Sequence, residues 1–222
     1  MGDLASLTPR ERATLLGRPE GDLGREISTF WNTNNAQVTE AVYHRLNIES
    51  RFRVLEIGFG NGRLLPLLMQ QAEGLSYVGV DHSETMVTEA STFNRALISA
   101  GRVEYHLAEA DHIPCLDTAI DRAFAVNVIY FWADPVPVLR EIRRVLKPGG
   151  LSLIAGADRA TSSNLAYARD EYGFRLRDAD ELLAMHRAAG FSEIAIEPFS
   201  DMAKRPDGSL YNRHYHFAIA RP

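Results

Sequence analysis

The sequence predicts a doubly wound α/β domain, with a mostly parallel, seven-stranded sheet, an antiparallel last strand and helices on both faces. Short β-rich runs alternate with helical segments through most of the chain, and this alternation is typical of a parallel sheet, because parallel neighbours need a long crossover connection. The last two β-rich runs, residues 194–196 and 215–220, are joined instead by a polar loop, residues 201–212, with no helix. We therefore expect this final pair to be antiparallel.

The predicted elements follow in order along the chain. Residues 1–28 mix glycine, proline and charge, hold one short helix-like stretch at 9–16, and are expected to form a loosely structured lead-in. Apolar residues at helical spacing then predict a helix over residues 30–46. Further strands are expected at 53–57, 77–80, 103–107, 123–129 and 151–155, and further helices at 64–74, 84–100, 136–146 and 180–189.

Composition and charge argue against several classes of protein. The chain has 222 residues and a formal net charge of -5, which offers no overall attraction to a phosphate backbone, so we expect no nucleic acid partner. No apolar run approaches the roughly 18 residues of a membrane span, and residues 1–16 lack the layout of a secretory signal. We therefore expect a soluble, cytoplasmic protein without a membrane partner, and its oligomeric state stays open. The lone Cys115 has no second cysteine with which to form a disulfide or a ligand pair.

The most informative segment is VLEIGFGNG, residues 54–62, a strand that runs into a loop with glycine at every second position before a helix. Gly58, Gly60 and Gly62 permit positive φ angles and close approach of a ligand, although a tight turn can also need glycine for packing alone. Glu56 lies at the carboxyl end of the strand, where open α/β sheets bind ligands. A carboxylate at this place suits a cationic group.

A second acidic residue, Asp81, ends the next strand 25 positions after Glu56. An acid at this place can accept hydrogen bonds from both hydroxyls of a ribose. Asp81 could instead cap the following helix, but Ser83 already suits that role, so ribose binding is favoured. After the third strand, the carboxylate of Glu109 beside an exposed backbone N–H could recognise the amino edge of adenine, or the segment could be a plain surface loop.

The order of these motifs resembles that of one known family. VLEIGFGNG is followed by VGVDHSETM at 78–86, AEADHIP at 108–114, an apolar strand that opens with Asp121, and RVLKPGG at 144–150. Together they resemble the class I, seven-stranded S-adenosylmethionine (SAM) dependent methyltransferases, closely over residues 47–154. AAGF at 188–191 is similar to the end of that family's last helix. The resemblance implies SAM as the cofactor, and the acidic charge and modest size favour a small-molecule methyl acceptor.

The resemblance also implies roles for individual residues. Gly58, Gly60 and Gly62 would cradle the methionine part of the cofactor, with Glu56 nearby and Asn127 facing the same part; Asp81 would hold the ribose; His82 and Met86 would flank the adenine; and Glu109 and Ala110 would meet its edge. The family more often has Asp where this chain has Glu109. Segments 15–26 and 31–41 resemble a subgroup in which the N-terminal region closes over the cofactor. We therefore expect residues 1–46 to cover the cofactor site of a methyltransferase domain formed by residues 47–222.

The acceptor pocket is expected above the carboxyl ends of the fourth and fifth strands. Tyr130 and Asp158 are the candidates for orienting the acceptor or taking its proton. Trp31 and Asn34 could approach from the N-terminal helix. Trp132 could form an aromatic wall of the pocket or could equally be a core residue at a strand end.

No metal is expected in this site. Methyl transfer from a sulfonium is an in-line displacement, which depends on positioning and exclusion of water. His214 and His216 share one face of the final strand, but with no third ligand in view we expect a surface pair or a hydrogen-bonded pair.

Two other functions stay open. An NAD-dependent oxidoreductase shares the strand, the glycine loop and the ribose-binding acid, but Arg63 stands at the sixth place of the G-x-G-x-x-G pattern, where that class has glycine, and the KPGG turn also argues against it. A regulatory protein that binds SAM without catalysis would keep the same nucleotide site.

Overall fold

Among the described residues, seven strands form a single sheet at the centre of the protein. The computed structural model describes residue 4 and residues 6–204 and 209–222. The strands are β1 (Arg53–Ile57), β2 (Ser76–Asp81), β3 (Val103–Leu107), β4 (Ile120–Val126), β5 (Leu146–Ala157), β6 (Glu193–Lys204) and β7 (Leu210–Arg221). Their order is β3-β2-β1-β4-β5-β7-β6; β1 to β5 pair in parallel, and β7 pairs antiparallel with both of its neighbours. The predicted fold class is confirmed.

Helices cover both faces of this sheet. They are α1 (Pro9–Gly17), α2 (Gly21–Arg45), α3 (Leu65–Met69), α4 (Glu84–Phe93), α5 (Arg95–Ser99), α6 (Pro135–Val145), α7 (Arg159–Ser162) and α8 (Ala179–Ala188). Successive residues of a strand point to opposite faces, and Leu55 of β1 packs with α1, α6 and α8, whereas Val54 packs with α2 and α3. Within the described ranges, none of the helices combines the length and the apolar character that crossing a bilayer needs.

The long helix α2 replaces the second part of the predicted lead-in. It begins at Gly21, whereas we expected a loose segment to residue 28 and a helix only from residue 30. The glycines of residues 1–28 indicated a loose segment, yet Gly24 lies inside this helix. A Cβ at Gly24 would lie 2.5 Å from the carbonyl carbon of Pro19, so glycine is needed there for the close approach of the preceding turn. Burial of Ile27 and Val38 against the body of the protein outweighs the low helix propensity of glycine.

The single helix expected over residues 84–100 is divided at Asn94 into α4 and α5. The buried amide of Asn94 donates to the carbonyl of Gly62 at 3.0 Å and to the phenol oxygen of Tyr105 at 2.8 Å. An Asn side chain that finds acceptors outside its own helix competes with helix continuation. Asn94 thereby joins the end of α4 to the glycine loop after β1.

The strand expected over residues 123–129 ends earlier, at Val126. Asn127 adopts a positive φ of 60°, which turns the chain out of the sheet. The apolar run continues past the strand because Ile129 and Tyr130, in a short 3₁₀ turn, are themselves buried. Continuous apolar character therefore marked burial here, but not the extent of the strand.

The polar loop expected over residues 201–212 is partly strand: residues 201–204 belong to β6 and residues 210–212 to β7, while residues 205–208 lie outside the described ranges. Asp201 stands directly opposite Arg213 in the register of this antiparallel pair, and Lys204 stands opposite Leu210. The antiparallel direction is as predicted, but the strands are much longer. The polar residues of this segment misled the prediction because Asp201 and Arg213 are buried together, at 6% and 9% exposure.

Candidate active site

A large cavity opens where the parallel strands β1, β2 and β4 end. Its volume is about 1230 Å³, above the roughly 300–1,000 Å³ of a pocket for one drug-sized ligand. The loops after these strands line one end, and α1, α2 and the β6–β7 hairpin contribute to the other. The predicted site residues all line this cavity, with the exceptions of Asn34 and Asp158.

The three alternating glycines have different functions in the loop after β1. Gly58, Gly60 and Gly62 have φ angles of 71°, 59° and 67°, a region in which other residues are strained. A Cβ on Gly58 would lie 2.4 Å from Cγ1 of Val128, and one on Gly62 would lie 2.8 Å from Cβ of Ala90. A Cβ on Gly60 would meet nothing within 4 Å. Two glycines therefore permit tight packing, while Gly60 presents its backbone to the open cavity.

The carboxylate of Asp81 is held in a fixed orientation at the end of β2. It accepts from the backbone N–H of Gly60 at 3.2 Å and from that of Ser83 at 2.9 Å. Burial raises the pKa of Asp81, and these backbone hydrogen bonds act in the opposite direction. The Ser83 hydroxyl caps α4 by accepting from the N–H of Met86, so the cap is supplied by Ser83, as expected.

Glu56 is a buried carboxyl group at the end of β1. Burial raises its pKa to about 7; a hydrogen bond from the Tyr77 hydroxyl, 2.6 Å away, lowers the pKa, and the nearby charge of Asp81 raises it. Two carboxyl groups therefore stand close together in a poorly solvated site. A cationic group in the cavity would favour the ionised form of Glu56.

The residues predicted around an adenine lie together beside Asp81. Nε2 of His82 is 2.7 Å from the carbonyl oxygen of Gly17, and Nδ1 is 3.3 Å from the carboxylate of Glu109. Met86 is fully buried, and both it and Ala110 line the cavity. His82 thus connects α1 to the loop after β3.

The turn between α1 and α2 is fastened to the first turn of α4. The Ser83 hydroxyl donates to the carbonyl of Pro19. The Glu20 carboxylate accepts from the hydroxyl of Thr85 at 2.7 Å and from the backbone N–H of Glu84 at 3.2 Å, where the helix dipole favours negative charge. Residues of α1, α2 and this turn line the cavity. We call the segment from Pro9 to Asn35 the roof.

Asn127 is the centre of a hydrogen-bond network between the two ends of the cavity. Its amide oxygen accepts from the Tyr130 hydroxyl at 2.8 Å, and its amide nitrogen donates to Oδ1 of Asn35 at 3.2 Å. The Tyr130 hydroxyl also accepts from the backbone N–H of Ala157. Because burial raises the pKa of Tyr130 well above its usual value, the phenol stays protonated near neutral pH and is not a proton acceptor.

Aromatic rings form the end of the cavity beyond Asn127. Tyr130 stacks on Phe174 with ring centroids 4.6 Å apart, and Tyr167 meets Phe174 edge-on at 5.7 Å. Trp31 and Trp132 also line the cavity. Trp132 is in addition part of the hydrophobic core, so the two alternatives for this residue, core and pocket wall, both hold.

Two predicted residues are directed elsewhere, which corrects the expectation that they reach the acceptor. The side-chain amide of Asn34 donates to the carbonyl of Lys204 at 3.1 Å and accepts from its N–H at 3.0 Å, so it pairs with the end of β6. The carboxylate of Asp158 caps α7 by accepting from Ala160 at 3.0 Å and lies 3.4 Å from Nε2 of His216. Short polar side chains beside strand ends are often taken up by backbone groups in this way.

His214 and His216 do not meet in a metal site. Nδ1 of His214 is 2.8 Å from the hydroxyl of Ser200, on the neighbouring strand, while His216 faces Asp158. Across the described ranges, no cluster of three or more His, Cys, Asp or Glu side chains is arranged to hold a metal ion.

Sequence reasoning missed the residues that β7 contributes to the cavity. Tyr211, Arg213 and Tyr215 alternate along the strand and all line the cavity. The period of two was visible in the sequence, but only the opposite face, with its histidines, was considered. Arg213 also donates to Oδ1 of Asn35 at 3.2 Å, which links β7 to α2.

Comparisons with known proteins agree with this arrangement. A family model described as a methyltransferase domain matches residues 55–154. The methyltransferase GfsG of Streptomyces halstedii is 31% identical over 180 residues, which cover 78% of this chain and 64% of the relative. The O-methyltransferase resE of Aspergillus sclerotiorum is 26% identical over 170 residues, which cover 74% and 64%. The chain therefore spans slightly under two thirds of each of these relatives.

Residues 55–154 match a methyltransferase domain, and this match and the relatives together support a class I SAM-dependent methyltransferase. A solved structure of phosphoethanolamine N-methyltransferase 2 from Haemonchus contortus, in complex with SAM, has a TM-score of 0.73 and 19% identity, with 97% of this chain and 60% of that chain covered. At 19% identity, this likeness shows only that the two proteins share a fold. SAM is the cofactor of the family, and the described residues fit it: Gly60 leaves an open cradle, Asp81 offers a carboxylate for hydroxyl donors, and Glu56 suits a cationic group.

Proposed function

We propose that this methyltransferase transfers the methyl group of SAM to a small-molecule acceptor by in-line displacement. The observation that carries the proposal is one continuous cavity, which extends from Gly60 and Asp81 at the glycine loop to Tyr130 and Phe174 at the aromatic end. Such a cavity has room for two ligands whose reacting atoms meet near Asn127. Holding them in line and excluding water is the main task of an enzyme whose donor is already activated.

The proposed contacts of the cofactor follow the chemistry of the cavity wall. The methionine part is held by Gly58, Gly60, Gly62 and Asn127, and its ammonium group faces Glu56. The ribose is held by Asp81. The adenine ring lies between His82 and Met86, and its edge contacts Glu109 and Ala110. When bound, the cofactor supplies an electrophilic methyl group on a sulfonium. Asp81 is ready for its role because two backbone N–H groups fix the carboxylate before any ligand arrives.

The proposed acceptor side consists of Tyr130, Trp31 and Trp132, with residues 1–46 covering the site of a domain formed by residues 47–222. Tyr130 acts here as a positioning residue, because its hydroxyl is shared between Asn127 and Ala157. The net charge of -5 and the lining of the cavity by the roof favour a small molecule. The relative from Aspergillus sclerotiorum, an O-methyltransferase, suggests oxygen as the acceptor atom.

Calorimetric titration with S-adenosylhomocysteine tests the cofactor site. Gly60→Val should abolish binding, because the new side chain enters the open cradle. Gly101→Val is the matched control: Gly101 has a φ of 67° and also leaves open space for a Cβ, but it lies outside the cavity, so this variant bears similar backbone strain and should bind normally.

Titration with NAD is the second control. Undiminished binding of S-adenosylhomocysteine by Gly60→Val, or tighter binding of NAD than of S-adenosylhomocysteine by the wild-type protein, contradicts the proposed site.

A further inference from the structure

The acceptor end of the cavity has a distinct electrostatic character. We define this end by Trp31, Tyr130, Tyr167, Phe174, Arg213 and Tyr215, all of which line the cavity. Two further basic side chains, those of Arg12 and Lys204, line it as well. The rings give an apolar wall, and the basic groups give this end a positive potential.

Arg213 is buried but does not stand alone. Its Nε and Nη2 donate to the two carboxylate oxygens of Asp201, at 2.9 and 2.6 Å. Asp201 does not line the cavity, so the guanidinium is the member of this pair that faces the acceptor end. Arg12 and Lys204 add two positive charges without an acidic partner among the described ion pairs.

The carboxyl groups that line the cavity belong to other places. Glu56 and Asp81 lie at the cofactor end, Glu109 faces His82, and Asp111 lies two residues further along the same loop. The fifth, Asp134, caps α6 by accepting from the backbone N–H of Val136. A cationic amine at the acceptor end would therefore meet positive charge and find no carboxylate partner among the residues that define this end.

No group at the acceptor end is suited to remove a proton. Burial raises the pKa of Tyr167 to about 12 and that of Tyr215 well above its usual value, so both phenols stay protonated, as does Tyr130. Asp158 and His216 face each other outside the cavity lining. A neutral alcohol would keep its proton at this end of the cavity, because the residues that define the end include neither a carboxylate nor an imidazole to take it.

We propose, building on the proposed function, that the acceptor is an organic oxyanion, a carboxylate, phenolate or enolate, carried on a bulky apolar skeleton. A lone pair of the oxyanion forms the bond to the methyl carbon, the bond from carbon to sulfur breaks, and its electron pair remains on sulfur as a neutral thioether. The oxyanion loses its negative charge, and no proton moves. Arg12 and Lys204 attract the anionic substrate but not its uncharged methylated product, which favours product release, while the charge of Arg213 is balanced by Asp201.

Calorimetry with three probes on one skeleton tests this assignment. In the presence of S-adenosylhomocysteine, 1-naphthoate should bind about ten-fold more tightly than its methyl ester or 1-naphthylmethylammonium. Arg12→Gln and Lys204→Gln should each weaken the binding of 1-naphthoate about two- to five-fold, as expected for partly exposed charges. Neither variant should change the affinity for the methyl ester or for S-adenosylhomocysteine. Arg10→Gln is the matched control, because Arg10 lies on α1 outside the cavity lining, and it should change none of these values.

Three results overturn the oxyanion assignment: binding of the ammonium probe as tight as that of the carboxylate, 1-naphthoate affinity unchanged in both charge variants, or no binding of any probe. Retained binding of S-adenosylhomocysteine in the same samples separates each of these from a failure of the proposed function. Replacing 1-naphthoate by 1-naphthol over a range of pH distinguishes phenolate from carboxylate recognition.

Discussion

Asp201 and Arg213 form a buried side-on ion pair across the β6–β7 hairpin, with side-chain exposures of 1% and 9%. Arg213 also donates to the backbone carbonyl of Asn34 and to the side chain of Asn35. One guanidinium therefore connects β6, β7 and α2. The position of the roof over the cavity depends on this connection as well as on apolar packing.

Removal of Arg213 alone should destabilise the protein strongly. Arg213→Met leaves the Asp201 carboxylate buried without a partner, and we expect a loss of about 3–5 kcal/mol in the free energy of unfolding. The double variant Asp201→Asn with Arg213→Gln removes both charges and should lose clearly less. Urea denaturation measures both, and equal losses in the two variants would show that the ion pair is not the cause.

Glu56→Gln should stabilise the cofactor-free protein at alkaline pH. Burial raises the pKa of Glu56 from 4.5 to about 7, so ionisation is less favourable in the folded than in the unfolded state. The resulting destabilisation is absent below pH 4.5, grows as the pH rises, and reaches about 3 kcal/mol above pH 7. Urea denaturation at about pH 5 and pH 8 should show a decline of stability with pH in the wild type that is smaller in Glu56→Gln.

The same substitution should weaken binding of the cofactor, because Gln has no negative charge to attract an ammonium group. Wild-type affinity for S-adenosylhomocysteine is expected to rise with pH as Glu56 ionises near pH 7. Calorimetry should find this rise absent in Glu56→Gln. A pH dependence that persists unchanged in the variant would assign the effect to another group.

Asn94→Ala should cost about 1–3 kcal/mol of stability, because the Gly62 carbonyl and the Tyr105 hydroxyl lose a buried donor. The loss of these hydrogen bonds should also loosen the glycine loop after β1. The affinity for S-adenosylhomocysteine should therefore fall, although Asn94 does not line the cavity. Asn94→Asp is a useful comparison, since it keeps the shape but lacks the N–H donors. If both variants bind normally, Asn94 does not support the loop.

Tyr130→Phe should leave the affinity for S-adenosylhomocysteine intact and lower the free energy of unfolding by about 1–3 kcal/mol, because Asn127 and Ala157 each lose a buried partner. The ring still stacks on Phe174, so the fold should persist. Asn127 keeps its hydrogen bond to Asn35, so the cofactor stays held, whereas turnover, measured once an acceptor is known, should fall because the Tyr130 hydroxyl no longer helps to position the acceptor. Full turnover in this variant would remove Tyr130 from the positioning network.

Glu20→Ala should loosen the roof. The variant loses the contacts of the carboxylate with Thr85 and with the backbone of Glu84, so thermolysin should cleave between Leu15 and Leu16 of the roof faster than in the wild type. S-adenosylhomocysteine should slow the cleavage in both proteins if the roof closes over the cofactor. Arg25→Gln, which removes a contact with exposed Asp22 alone, is the control and should be cleaved between Leu15 and Leu16 at the wild-type rate.

The parallel part of the fold and the cofactor end of the site could be predicted from the sequence because both depend on local patterns. Strand, glycine loop and helix follow one another within a few residues, and Glu56, Gly60 and Asp81 occupy strand ends whose neighbours in a parallel sheet are known in advance. These side chains indeed line one cavity.

The acceptor end could not be predicted in the same way, because its residues come from distant parts of the chain. Asn35, Tyr130 and Arg213 meet only after α2 and β7 have packed on the sheet. Polar residues gave the least reliable signals: Asn34 and Asp158 are used by backbone groups, while residues 201–204, expected in a polar loop, continue β6. Which partner a polar side chain finds is decided by tertiary structure.

The close approach of Glu56 and Asp81 has a consequence for which nucleotides the protein admits. The charge of Asp81 opposes the ionisation of Glu56, so a ligand gains most if it brings positive charge to the space between them. A dinucleotide would bring pyrophosphate, and its two negative charges would meet a repulsive wall. Adenosine alone would donate hydrogen bonds to Asp81 from its hydroxyls but would bring no positive charge to balance that of Glu56. Discrimination among adenine-containing metabolites is therefore expected to depend on the sign of the charge next to the ribose.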